Sequence, residues 1–430
     1  MLLTGVALSA AALLLADSMI TPALSVMAAV DGLRIEFKGI EPWVKPMSLA
    51  VIGGLFLIQR VGTGALGALF GPIMLIWFFV IAVLGLQKVL EVPQILWALS
   101  PLPAIDLVLS LRQETFFSLM GSVMLAVTGA EAIYADMGHF GRRPISLAWY
   151  GTALISLLLN YLGQGALLLQ TPFNPDEGHS PFFGLVPGGG IVPMVMLATA
   201  ASIIASQAVI SGMFSLTSQA VHMHFLPRFR VEHTSKEEAG QIYVPKINLL
   251  LALGTIAFVL GFGTPSGLAS AYGFAVATTM LLTTIAFNFV VFYIWRWSWV
   301  WIVLFCLFVI PLDALFFGAA LAKLPQGGIV PALISGIFVF LMLAWILGNQ
   351  KLSELGHRLD MPLPLFSEMV ANRADLHFQK RPAIFFQHLS FAPDLEVAPQ
   401  SLLRQVQLTS MLYQPSIVVE FETLNIPRIA

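Results

Sequence analysis

Three long stretches of the chain, 61–87, 178–227 and 247–295, contain no Asp, Glu, Lys or Arg. An apolar helix of roughly 20 residues spans the hydrocarbon core of a bilayer. There, every backbone amide and carbonyl must be bonded within the segment. Charge-free runs of this length confine the chain to membrane-crossing helices. The composition agrees, at 58% hydrophobic and 10% charged residues, where soluble domains carry about 25% charge. A net charge of −2 offers nucleic acid or another polyanion no basis for binding. Cys306 is the single cysteine, which leaves no disulfide framework and no cysteine metal site. The opening run MLLTGVALSAAALLLADSMITPALSVMAAV lacks a basic leader and exceeds a signal-peptide core, so it is expected to be a span.

Apolar length predicts about ten spans, near 3–30, 44–60, 63–88, 115–137, 145–169, 190–221, 244–263, 267–295, 298–321 and 328–349, with linkers at 31–43, 89–114 and 170–189. Basic residues set the orientation. Arg60, Arg142, Arg143, Arg228, Arg230, Lys236, Lys246 and Arg296 crowd one side in mostly short loops. Arg34, Lys38, Lys45, Lys88, Arg112 and Lys323 are spread over the longer loops of the other. The first set reads as cytoplasmic, so the first span runs outward and the C-terminal tail lies inside. Charge becomes denser after residue 350. There, RPAIFFQHLS and QPSIVVEFETL read as short strands. The expected organisation is a membrane domain over 1–349 and a small, partial α/β cytoplasmic domain over 350–430.

Acids inside a membrane are costly and by default mark function. Asp17 opens DSMITPALS. On a helix Thr21 and Ser25 follow one and two turns later, so three oxygen-bearing side chains share a face. Pro22 frees the carbonyl of Ser18. Together these groups suit a hard monovalent cation, or Asp17 pairs with a neighbouring helix. Glu131 shares a face with Thr128, and Gly129 between them allows close approach or unwinding. A carboxylate here needs a cation or takes a proton, the dual character of a proton-coupled site, or it makes a structural hydrogen bond. Asp136 stands near Arg142, as a cap or as a gate on the path to the cytoplasm. Asp313 follows Pro311 and is expected to pair locally. Asn160, Gln164, Gln207, Asn248 and Asn288 are expected to bond between helices, and the glycines of YLGQGALLL to allow close packing. His222 and His224 have no evident third ligand. With no phosphate loop, nucleophile motif or metal-ligand set, the chain is expected to be neither an enzyme nor an ATP-driven pump, and to need no cofactor.

The segments VTGAEAIYADMGHFGRRPISLAW, LNYLGQGALLL, IASQAVISGMFSLTSQA, AGQIYVP and LASAYGFAVATTM occur in order. Together with ADSMITPALSVMAAVDGL they resemble the KUP/HAK/KT potassium-uptake family. The resemblance implies an all-α polytopic bundle of the LeuT type (the amino acid–polyamine–organocation superfamily), with inverted repeats and sites at broken helices. It implies low-affinity K+ uptake in symport with H+ in a bacterial inner membrane, and a homodimer formed through cytoplasmic domains. By this resemblance Thr21, Ser25, Thr128 and Glu131 match cation-site motifs. Asp17 stands where the family commonly has Glu, and Glu131 and Asp17 would couple the proton. The family has twelve spans and a G-D-I-G-T-S-P-L-Y motif in its first helix. The ten spans here begin at its third helix without that motif, so the chain is expected to lack the first two helices and most of the cytoplasmic domain. Two other readings stay open: an organic-solute symporter of the same superfamily, and a non-transporting remnant or partner of a transporter.

Overall fold

The computed structural model describes residues 2–59, 63–126, 128–129, 133, 141–171, 180–233, 242–357, 361–388 and 397–421. The long helices are α1 (Leu2–Asp31), α2 (Glu41–Ile58) and α3 (Thr63–Glu91). The short α4 (Leu102–Ser110) and α5 (Gln113–Ala126) follow. Next come α6 (Arg142–Gln170), α7 (Ile191–His222), α8 (Pro245–Phe262), α9 (Pro265–Ile294), α10 (Trp299–Ala322) and α11 (Ile329–His357). Among the described residues, nine helices are long and apolar enough to cross a membrane. The expected span at 115–137 is described as a helix only to Ala126. The linker at 89–114 is more ordered than its composition suggests, with a 3-10 turn at Pro93–Leu99 and then α4. Both begin on a proline within the first two helical positions, where the missing N–H is not needed.

The chain divides into two compact units, 1–342 and 343–430, with the boundary inside α11. In the first, α1 is the hub and packs against α2, α7, α8 and α9. Apart from the Asp17, Thr21 and Ser25 stripe it is largely apolar around its axis, as suits the most buried of the long helices. Leu8, Ala12, Ala16, Ile20, Ala23 and Met27 are each no more than 1% exposed. Around it, α3 pairs with α6, and α10 packs on both α5 and α9.

Glycines set the closest of these crossings. A Cβ on Gly163 would lie 2.5 Å from the Gly85 Cα, and one on Gly85 would strike the Leu159 carbonyl. The backbones of α3 and α6 therefore touch, which only small residues permit. Asn160 Nδ2 donates to the Ile81 carbonyl at 3.4 Å, and Gln164 Nε2 to Asn160 Oδ1 at 2.7 Å. The GQG motif is thus a packing device, as its spacing suggested.

Local chemistry also sets the turn from α8 to α9. Gly263 ends α8 in the left-handed region at φ +69°, where glycine carries no Cβ penalty. Thr264 then caps α9, its Oγ1 accepting from the Gly267 amide, with Pro265 in the first turn. At the other end of α9 the backbone relaxes into a π turn, Val290–Ile294. Tyr293, Trp295, Trp297, Trp299 and Trp301 are exposed around the following loop. This is the aromatic belt expected where a helix leaves the bilayer.

The second unit is α/β. Its elements are β3 (Met361–Pro362), α12 (Leu363–Asn372), β4 (His377–Gln379) and β5 (Ala383–His388), then β6 (Val397–Ala398), α13 (Gln400–Thr409), β7 (Met411–Tyr413) and β8 (Ser416–Phe421). The two hairpin strands that precede them in the chain, β1 (Glu232–His233) and β2 (Ile242–Tyr243), belong to the first unit. The two segments expected to be strands are β5 and β8, and they pair in parallel from Ala383↔Ser416 to His388↔Phe421. A parallel pair needs a crossover, and α13 lies between them in the chain. Phe366, Leu376, Phe385, Leu402, Leu403 and Val406 form the small core.

Candidate cation site

Asp17 lies in the middle of α1 and is 1% exposed. Thr21 Oγ1 donates to Asp17 Oδ1 at 3.3 Å, which places the two on one face as the four-residue spacing requires. Pro22, inside the helix, cannot donate to the Ser18 carbonyl one turn earlier. Ser18 is itself 1% exposed, and its Oγ donates back to Leu14 O at 2.7 Å. Ser25 is half-buried on the same stripe, and its carbonyl accepts from Ser202 Oγ of α7 at 3.2 Å. A carboxylate, two hydroxyls and a carbonyl released by proline are thus held on the most enclosed helix of the bundle. Such oxygen sets suit a hard cation.

The second half of the expected site begins where α5 stops. Thr128 and Gly129 are not helical, and Gly129 takes φ +100°. A non-glycine residue is strained at such an angle. Of the two readings of Gly129, close approach or unwinding, the backbone angle at this residue agrees with the second. Thr128 Oγ1 donates to the Leu125 carbonyl at 2.8 Å, satisfying one of the acceptors that a helix end leaves open. That bond uses the hydroxyl proton and not the oxygen lone pairs. The stripe on α1 and the end of α5 are linked through a shared neighbour, α9, against which both helices pack. Glu131 and Asp136 lie outside the described residues.

Other polar groups meet between helices. Asp313 is 4% exposed and accepts from Thr284 Oγ1 at 2.5 Å. Its partner is on the neighbouring helix α9, not local to α10. One turn further along α9, Asn288 Oδ1 accepts from Cys306 Sγ at 3.1 Å. Lys323 reaches Ser122 Oγ at 3.4 Å, beside a cavity of about 10 Å³ among α5, α9 and α10, room for about one water.

One buried group escaped the sequence reading. Gln59 is 3% exposed, and its Nε2 donates to Gln207 Oε1 at 2.5 Å. It falls inside the expected span at 44–60, beside Arg60 in sequence. Its position at the end of an apolar span was the only available signal.

Residues 1–350 match the family model of the K+ potassium transporter integral membrane domain. The chain is 44% identical over 413 residues to the Probable potassium transport system protein Kup 1 of Ralstonia nicotianae, covering 96% of this chain and 66% of that protein. It is 42% identical over 419 residues to the Probable potassium transport system protein Kup of Pseudomonas putida, covering 97% and 65%. To the protein of the same description from Chlorobium luteolum it is 43% identical over 428 residues, covering 100% and 65%. The chain thus spans about two thirds of the length of these relatives. The matched membrane domain runs from α1 into α11 and takes in both the stripe on α1 and the end of α5, and the chain belongs to the KUP/HAK/KT family of transporters.

Proposed function

We propose that the helical unit, read as residues 1–349, moves K+ across a bacterial inner membrane in symport with H+. The observation that carries this reading is the Asp17–Thr21 pair, a carboxylate and a hydroxyl bonded at 3.3 Å on the enclosed hub helix. Names of relatives such as the Ralstonia nicotianae protein point to the same cargo.

In this reading Asp17 supplies the charge that offsets the cost of dehydrating K+, and Thr21, Ser25 and Thr128 supply neutral oxygens. The break at Thr128–Gly129 is the kind of discontinuity at which transporters of the LeuT type place their ions. Glu131 follows that break directly in the sequence and alternates between binding a proton and facing the cation, with Asp17 as the second proton-coupled acid. Asp136 stands on the cytoplasmic path. Residues 350–430 form the cytoplasmic tail, through which two copies would pair.

Rb+ uptake by the chain reconstituted in liposomes, with a pH indicator inside, tests the proposal. The expected result is Rb+ entry accompanied by internal acidification. Rb+ entry without acidification overturns the symport, and no Rb+ entry overturns the cargo. Unchanged uptake by Glu131→Gln would remove the role given to Glu131.

A further inference from the structure

Where α2, α7 and α8 meet, a second set of buried oxygens lies apart from Asp17. Gln59, Gln207, Asn248 and Tyr243 are 3%, 4%, 9% and 7% exposed. Asn248 Nδ2 donates to the Phe56 carbonyl at 3.1 Å and to Tyr243 Oη at 3.4 Å. A carbonyl can only accept, so the first bond fixes which way the amide points. The Asn248 Oδ1 atom is then turned away, buried, and without a hydrogen-bond partner among the described residues. A buried acceptor left in that state is costly and calls for a ligand or a function to explain it. Beside it, Gln59 and Gln207 are locked amide to amide. The Phe214 ring closes the cluster edge-on over Tyr243, with centroids 5.6 Å apart.

The chemistry of the set selects its ligand. Its acceptors are amide, phenol and peptide oxygens, all neutral. Lys246 is exposed, with its Nζ over the Phe229 ring at 6.0 Å, so its charge is directed elsewhere. Phe56 stands in the last turn of α2, whose open carbonyls favour a cation, while the first turn of α8 favours an anion. The two helix ends oppose each other, and the orphan acceptor decides for a positive or proton-donating guest. With no carboxylate among the described residues of the cluster, a divalent ion, which is usually held by charged oxygens, is poorly served. A weakly hydrated monovalent ion is held by uncharged oxygens in just this way. The cluster also sits toward the loops rich in Arg228, Arg230 and Lys246, the end read as cytoplasmic.

We propose that Asn248 Oδ1, beside the Gln59–Gln207 amide pair, marks a second dwell site for a monovalent cation between the Asp17 stripe and the cytoplasm. The inference rests on the K+ reading above. A cation leaving Asp17 would pause at oxygens that bind it weakly enough to let it go.

The test is crystallographic first, on the whole chain grown with Tl+ in place of K+. An anomalous peak in direct contact with Asn248 Oδ1 is expected. A peak near Asp17 with only water at Asn248 overturns the dwell site and leaves the K+ reading standing. No peak at either position overturns both. A second measurement, Rb+ uptake by Asn248→Ala in liposomes, is expected to raise the half-saturating Rb+ concentration about tenfold, the loss of one good polar contact. An unchanged value, with the variant eluting as a folded protein, also overturns the site.

Discussion

Thr284 on α9 donates its hydroxyl to the Asp313 carboxyl on α10 at 2.5 Å, inside the apolar layer. Lipid tails are as apolar as leucine side chains, so hydrophobicity alone does little to hold two membrane helices together. This bond, followed by Cys306 to Asn288 at 3.1 Å, pins α10 to α9 in one rotation. Thr284→Val keeps the shape and removes the donor from a buried acid. The expected cost is about 1–3 kcal/mol, seen as a lower melting temperature in detergent. Thr284→Ser is expected to melt close to the parent. Equal melting of the valine variant would show that the bond contributes nothing.

Gly163 and Gly85 make the closest helix crossing described above. Gly163→Ala places a methyl 2.5 Å from the Gly85 Cα, and backbone cannot yield as a flexible side chain does. Separation of α3 from α6 is expected to cost about 1–3 kcal/mol. Gly151 lies on the same helix, and a methyl added there would meet nothing within 4 Å. Gly151→Ala is therefore the matched control and should melt unchanged. Parallel melts of the two variants check the contrast.

Asp17 and Thr21 divide charge from geometry. Asp17→Asn keeps the size and removes the charge, and is expected to lower Rb+ uptake by about ten- to a hundredfold, the worth of a charged contact. Asp17→Glu restores the charge with one more methylene and should retain most uptake. Thr21→Val should fall between them, because it removes one neutral oxygen. Initial uptake rates over a range of Rb+ concentrations would rank the three, and a different order would refute the site.

Asp375 gives the tail unit a pH dependence. Hydrogen bonds from Arg373, at 3.0 Å, and then from Ser410 Oγ, also at 3.0 Å, hold its pKa below the ordinary carboxylate value. A depressed folded pKa means that the stabilisation is complete above the unfolded value, about 3.9. It is lost as the pH falls through the folded value. Amide protection at His377–Gln379 and Met411–Tyr413, corrected for intrinsic exchange, should therefore drop below about pH 4. Asp375→Asn should flatten that dependence. An identical profile in the variant would assign the acid sensitivity to another group.

Much of the bundle can be read from the residues because apolar length answers directly to bilayer thickness. The runs at 247–295 became α8 and α9. The stripe of Asp17 and Thr21 was legible too, because an i,i+4 spacing determines a shared face before any tertiary contact exists. So were β5 and β8, from their apolar patterning, though not their parallel pairing, which requires knowing that α13 carries the chain across. Gln59 was missed because nothing local marks it for burial where it stands beside Arg60 in the sequence. Its burial depends on Gln207, which lies 148 residues away.

The sequence by itself determined that this chain spans a membrane many times, roughly which segments do so, and which acids are anomalous there. Those properties depend on the length and polarity of single segments. Only the tertiary structure decided that α1 is the hub, that α3 meets α6 at Gly85 and Gly163, and that Asp313 bonds to α9. In a bilayer an apolar face suits lipid and protein alike. Partners are therefore chosen by the fit of small residues and by hydrogen bonds between distant positions, neither of which leaves a periodic trace in one sequence.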